Sequence, residues 1–252
     1  MPSTLHPLTS LTAAGSTAVV TTAAGHWPLS LAVALAAAVM AGRAGVGRRV
    51  LAAAAAVLLP LGLSLLMLHG LFFPEGRTVL AAWGPARVTA EGLAFALEAG
   101  ARTGACVLVL LLFSFTVSAP DLVAVLAARG LPPQFGFVLA SALTLLPTMA
   151  GRLEAIRDAQ EARGLVVGGN VVSRLVALRV QMVPLVLGLI EDSGSRAQAL
   201  DARGFGSPGP RTAYRVLADP PVQRRCRAIL LLLAAAAVAL RLWLSWPAAG
   251  LR

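Results

Sequence analysis

Two short stretches of related chemistry stand 40 residues apart: Gln160-Glu161-Ala162-Arg163-Gly164-Leu165 and Leu200-Asp201-Ala202-Arg203-Gly204-Phe205. Each runs acid, Ala, Arg, Gly, apolar residue. Ala and Gly leave almost no side chain, so the backbone can lie close against another molecule. The Arg between them projects a planar fork of five donors, which suits a carboxylate. The expected chemistry is recognition rather than catalysis. A plainer reading competes, since Gly commonly stops a helix at C′ and an Arg in a last turn complements the helix dipole. A third triplet, Ala128-Arg129-Gly130, lacks the acid and runs into Pro132-Pro133, so helix stopping accounts for it. The repeated acid at two helix ends favours docking for Arg163 and Arg203. Upstream of the first motif, Gly151, Ala155, Ala159 and Ala162 fall on one helix face. Arg196, Ala199 and Arg203 give the second motif's helix a basic face around a small residue.

Other chemistry is excluded by what the chain lacks. All 21 basic residues are Arg; there is no Lys. A Walker A phosphate loop needs its Lys, so no ATPase site of that kind and no Schiff-base lysine is expected. Cys106 and Cys226 lie 120 residues apart and form neither a disulfide framework nor a metal spacing. His6, His26 and His69 are scattered, so no metal cluster is expected. No catalytic, cofactor-binding or metal residue is assigned, and the chain is not expected to be an enzyme. No Arg or Lys precedes the first apolar run, so no cleaved secretory signal is expected.

The elements that position the two arginines follow from composition. Apolar residues make up 58% of the 252 residues, charged residues 13%, and mean hydropathy is +0.80. Soluble domains carry about 25% charged residues. The chain is therefore expected to be an all-α polytopic membrane bundle of about five spans. A span needs about 20 apolar residues. Val50 to Phe73, the long stretch Val88 to Ser118 and Ala228 to Trp246 meet this; Leu8 to Ala24 is a weak candidate and Leu29 to Ala41 is short. Pro74 to Arg87 reads as a polar loop, and Asp121 to Arg129 as a short amphipathic helix.

Sidedness comes from arginine counts. Residues 152–227 hold twelve of the 21 Arg with seven acids, and Arg43, Arg48 and Arg49 form another cluster. Both are placed in the cytoplasm by the positive-inside rule. If Val50 to Phe73 leads out and Val88 to Ser118 leads back, Pro120 is already inside. Gln134 to Gly151, though apolar, then cannot cross, and is expected at the membrane surface or under the bundle. Glu98 and Arg102 are expected to form a structural i,i+4 pair. The runs Arg48-Arg49 and Arg224-Arg225-Cys226-Arg227 are expected to set topology and meet anionic lipid.

The two motifs, with Ser195-Arg196-Ala197-Gln198-Ala199-Leu200 before the second, resemble the T component of energy-coupling factor (ECF) transporters. Leu5-His6-Pro7-Leu8-Thr9 is similar to that family's N-terminal lead-in, and Gly130-Leu131-Pro132 to the segment before its cytoplasmic helices. The resemblance implies a membrane bundle (1–119), a cytoplasmic coupling domain (120–227), and a last span with its tail (228–252). It implies that Ala162, Arg163, Gly164, Ala202, Arg203 and Gly204 couple to two ABC ATPase subunits. ATP would be bound on those partners and no cofactor in this chain. A separate substrate-binding S component would take up a vitamin or transition-metal ion. The setting is the inner or plasma membrane, with lipid and no nucleic acid as partners. The chief rival is a conventional ABC importer permease with its own substrate path, which predicts one docking helix. A membrane-bound enzyme lacks a supporting cluster of acids or histidines, and a scaffold without a transport role leaves the paired motifs unused.

Overall fold

A computed structural model describes residues 6–70, 78–83, 86–130, 132–164, 170–207 and 218–249. Eight α-helices account for most of them: α1 (Pro7–Ala24), α2 (Trp27–Arg43), α3 (Gly47–Leu65), α4 (Ala90–Thr116), α5 (Ala119–Ala128), α6 (Pro133–Ala162), α7 (Val171–Ala202) and α8 (Pro221–Ala249). A single π-helical turn, Leu66–Gly70, extends α3. In place of part of the expected loop, β1 (Val79–Trp83) and β2 (Ala86–Thr89) form an antiparallel hairpin. Thr89 ends it and begins α4, its hydroxyl accepting from the amide of Gly92 at 3.2 Å, an N-cap that satisfies one orphan donor.

The chain divides into two compact units, residues 1–125 with 217–252, and residues 126–216. In the first, α4 packs on α1, α2 and α3, while α8 packs on α1. The packing is inverted relative to a soluble core. Small residues are buried, with Ala41 and Ala105 at 0% exposure and Ser16, Thr21, Ser30 and Ala54 also inside. Large ones point out, Leu59 at 71% and Leu232 at 69%. In lipid, an outward Leu costs nothing, and helices associate by letting small residues bring backbones together. The buried hydroxyls are satisfied within their own helices, Thr21 donating to the carbonyl of Thr17 at 2.6 Å and Ser30 to that of His26 at 3.2 Å. The all-α membrane bundle expected from composition is therefore what the chain forms.

Among the described residues, four helical stretches are long and apolar enough to cross a membrane: Gly47–Gly70, Ala90–Thr116, Gln134–Ala162 and Pro221–Leu244. Three are expected spans. The fourth contains the run excluded from crossing by parity; the structure continues it, without a break, through the charged sequence up to Ala162. Helices α1 and α2, with 18 and 17 residues, fall outside this set.

Two expectations about charge are corrected. No ion pair joins Glu98 to Arg102 among the described residues; Arg102 instead lines a cavity with Arg241 of α8. Arg227 is not a lipid-facing charge: it is 7% exposed. Its guanidinium holds both carboxylate oxygens of Asp219, at 2.7 and 2.9 Å. It also donates to the Thr9 hydroxyl at 3.1 Å and lies 3.4 Å from His6 Nδ1. A guanidinium has no acceptor, so Nδ1 accepts. The Thr9 hydroxyl donates onward to Gln223 Oε1, which also takes the His6 amide at 2.8 Å. This network ties the start of α1 to the start of α8. Arg224 reaches Asp219 from outside, at 3.4 Å.

Candidate functional site

Both motifs are helix ends, and their backbones match. Arg163 closes α6 with φ −85°, ψ 7°, and Arg203 closes α7 with φ −89°, ψ 5°. The Arg amide bonds three residues back at 3.1 Å in each: Arg163 to Gln160 and Arg203 to Leu200. The Gly amide does likewise at 2.9 Å in each: Gly164 to Glu161 and Gly204 to Asp201. Gly164 and Gly204 sit at φ +89° and +69°, a left-handed conformation natural to Gly. The second motif completes a Schellman turn, the Phe205 amide bonding the Leu200 carbonyl at 3.0 Å. Arg129 and Gly130 repeat the capping bonds at 3.1 and 3.3 Å, with Gly130 at φ +101°. The cap is thus common to all three triplets, and helix stopping and docking are compatible uses of one geometry.

The side chains separate them further. Arg163 and Arg203 are exposed, and among the described residues no carboxylate meets either guanidinium. Glu161, the acid of the first motif, is engaged one turn back by Arg157, whose Nε donates to its Oε1 at 2.8 Å. The acid therefore does not neutralise Arg163. Ala162, Gly164, Ala202 and Gly204 are exposed as well, and so is the whole small-residue stripe Gly151, Ala155 and Ala159.

Helices α6 and α7 lie antiparallel. Phe137 stacks against Phe205 with centroids 5.1 Å apart, while Arg152 pairs with Asp192 at 2.6 Å; advancing along α6 retreats along α7. A groove of about 370 Å³ opens between Phe137, Ser141 and Thr144 on one side and Arg196, Ala199 and Arg203 on the other. The basic face expected on α7 is one wall of it. Among the described residues, no acid lines this groove. Arg163 lies 26 residues beyond Phe137 on the same helix, about 40 Å at 1.5 Å per residue. The two arginines are thus held at opposite ends of one helix pair and are not brought into one site. Ser141, Thr144 and the Arg152–Asp192 clamp were not singled out in the sequence; the i,i+3 spacing of Ser141 and Thr144 could have marked them.

Residues 1–214 match the family described as CbiQ, cobalt transport protein. The chain belongs to this family. Among related proteins, an energy-coupling factor transporter transmembrane protein EcfT of Leuconostoc gelidum is 26% identical over 170 residues, covering 64% of this chain and 63% of that protein. Its counterpart in Staphylococcus aureus is 28% identical over 161 residues, 60% of each. A protein of Bifidobacterium longum, provisionally named an ABC transporter ATP-binding protein, is 31% identical over 168 residues, which are 62% of this chain but 21% of that protein. The chain thus matches about three-fifths of the length of the two EcfT relatives. With this family and its long apolar helices, it is a multi-pass membrane protein.

Proposed function

We infer that this CbiQ-family chain is the transmembrane coupling subunit of an ECF-type ABC importer. It transmits ATP-driven movement from two ATPase subunits to a separate substrate-binding membrane protein carrying a vitamin or transition-metal ion. The observation that carries this is the pair of matching helix ends, each offering an exposed Arg fork, without a carboxylate partner among the described residues and flanked by Ala and Gly, about 40 Å apart. One docking groove cannot span that distance, whereas two copies of an ATPase each take one end. ATP stays on those partners, as the lack of any Lys requires of a Walker-type site. The Bifidobacterium protein supports the association, because there a stretch similar to this chain forms part of a polypeptide named for ATP binding. The EcfT relatives support the energy-coupling role. The apolar half of α6, with Phe135, Val138 and Leu146 exposed, is suited to an S component as its hydrophobic neighbour. The test is co-expression with the ATPase subunits, then pull-down through this chain and substrate uptake in cells. Joint recovery of two ATPase copies, lost in the Arg163→Ala/Arg203→Ala double variant, supports the reading. Full assembly and uptake by the double variant would leave the caps as mere helix stops.

A further inference from the structure

Within the membrane unit, α1 separates α4 from α8, and a cavity of about 490 Å³ opens where the three meet. That volume lies within the roughly 300–1,000 Å³ of small-molecule sites. Its walls are largely apolar, among them Val19, Val238 and Leu242, all well exposed. Two guanidinium groups interrupt them, Arg102 from α4 and Arg241 from α8, and among the described residues no acid lines the cavity. Both arginines lie inside helices able to span the membrane. A charge in a span is costly unless paired or led to water, and it marks a functional site by default.

Arg241 is fixed in place. Its NH1 donates to the last carbonyls of α1, Thr22 at 3.1 Å and Ala23 at 2.9 Å. Gly25 then turns the chain at φ +66°, and a Cβ there would come within 3.4 Å of the same nitrogen. One nitrogen is used in this cap; Nε and NH2 remain available. Arg102 makes no ion pair or hydrogen bond among the described residues. Its depth is set by Cys106, one turn further along α4, whose sulfur lies 3.6 Å from the Thr22 hydroxyl. Arg102 therefore lies beside the same end of α1. Two exposed tryptophans, Trp27 and Trp243, stand at that end of α2 and α8. Trp marks the headgroup level of a bilayer, so the charged part of the cavity sits close to the level of lipid phosphates, while its apolar wall lies where acyl chains run.

We propose that this cavity is a lipid site that holds the phosphate of an anionic phospholipid between Arg102 and Arg241. The lipid's acyl chain lies along Val19, Val238 and Leu242. The phosphodiester supplies the missing counter-charge and accepts the donors that the α1 cap leaves over. It also joins α4 to α8, across the α1 end that separates them.

The test uses the 252-residue chain in neutral detergent, stripped of lipid, with native mass spectrometry and thermal unfolding as readouts. Three probes separate the sources of binding: dioleoyl phosphatidylglycerol, dioleoylglycerol with the same chains and no phosphate, and glycerol 3-phosphate with no chains. One phosphatidylglycerol should be retained per chain in preference to dioleoylglycerol, and should raise Tm by about 5 °C at 100-fold excess over Kd. Glycerol 3-phosphate should not displace it. Arg102→Gln, at a side chain with no partner to lose, should weaken retention roughly tenfold, and Arg102→Gln/Arg241→Gln should abolish it. Should Arg241→Gln fail to fold for want of its α1 cap, Arg102→Gln decides alone. Equal retention of dioleoylglycerol would overturn the proposal, as would displacement by glycerol 3-phosphate. Wild-type retention by the Arg102 variant would place the lipid elsewhere and overturn it too.

Discussion

At Arg163 and Arg203, the docking proposed above and the helix capping fall on different atoms, so they can be separated by mutation. The cap is backbone: the Arg and Gly amides bond the preceding turn, and Gly takes positive φ. The proposed docking group is the guanidinium, which is exposed and meets no carboxylate among the described residues. Arg203→Ala should therefore leave Tm nearly unchanged and weaken ATPase pull-down. Truncating one partner of a buried, hydrogen-bonded charge pair costs about 2–5 kcal/mol, or roughly 30-fold or more at 1.4 kcal/mol per tenfold. The other end still tethers the complex, so effective concentration masks part of the loss. Each single change should mainly reduce uptake and the double change should also reduce assembly. Arg→Glu should be worse than Arg→Ala at both, and Arg129→Ala mild. Gly204→Ala should do the converse. It forces a Cβ into the left-handed region, at about 1–2 kcal/mol, and within 3.3 Å of the Ser207 hydroxyl. Gly204→Asn, which tolerates that region, should cost less. Parallel melting curves and pull-downs check the pattern; equal losses from Arg203→Ala and Gly204→Ala in both assays would merge the two roles.

At the scale of elements, two ion pairs differ in what they contribute. Arg152–Asp192 links α6 to α7 with side chains 41% and 33% exposed. A pair of that kind is worth about 0–1 kcal/mol, so Arg152→Gln should shift Tm little. Arg227–Asp219 is buried, with side chains 8% and 16% exposed, and its other donor is used by Thr9. Removing Asp219 leaves the buried Arg227 charge without its carboxylate, at about 3–5 kcal/mol, whereas removing Arg227 leaves Arg224 beside Asp219 at 3.4 Å. Asp219→Asn alone should be strongly destabilising, and Asp219→Asn/Arg227→Met together should recover part of the loss, as thermal unfolding in detergent would show. These elements also divide what sequence pattern reveals from what it hides. Helix α4 falls within two residues of Val88 to Ser118 at each end, α3 with its π turn covers Val50 to Gly70 of the run Val50 to Phe73, and α8 contains Ala228 to Trp246 but begins seven residues earlier, because span length is a local property of the chain. The motif ends were legible for the same reason, as Gly after Ala-Arg writes a cap into four consecutive residues. Arg227 and Arg241 were not legible. Asp219 is only eight residues from Arg227, but their other partners, His6, Thr9, Thr22 and Ala23, lie more than 200 residues away, and an arginine in an Arg-rich run or near a span end looks like a topology signal until the helices meet. Glu98 and Arg102 show the opposite failure: their spacing permitted a pair, but i,i+4 placement brings side chains within reach without obliging them to bond.

For the whole molecule, the question is which side of the membrane each unit faces, and one helix decides it. Gln134–Ala162 is long and apolar enough to span by composition, yet its last eleven residues, from Arg152, hold Arg152, Glu154, Arg157, Asp158 and Glu161. Burying five charges in hydrocarbon is prohibitive at about 2.5–3.5 kcal/mol each even on the mildest scale, so only the stretch up to Gly151 could cross. If it did, Arg163 would face away from the cytoplasm; Arg203 would face away with it, or, if α7 with its Arg174 and Arg179 crossed back, would lie on the opposite side from Arg163. If it lies along the surface, both motifs stay with the ATP-bearing partners, and the twelve arginines of residues 152–227 stay inside as the positive-inside rule requires. Single cysteines at Thr78 and Ser173, in a background lacking Cys106 and Cys226, distinguish the two. An impermeant thiol reagent added to intact cells should label position 78, in the hairpin before α4, and should reach position 173, near the start of α7, only after the cells are opened. Labelling of position 173 from outside would mean that α6 crosses, and the two Ala-Arg-Gly ends could not then serve a pair of cytoplasmic ATPases in the way proposed.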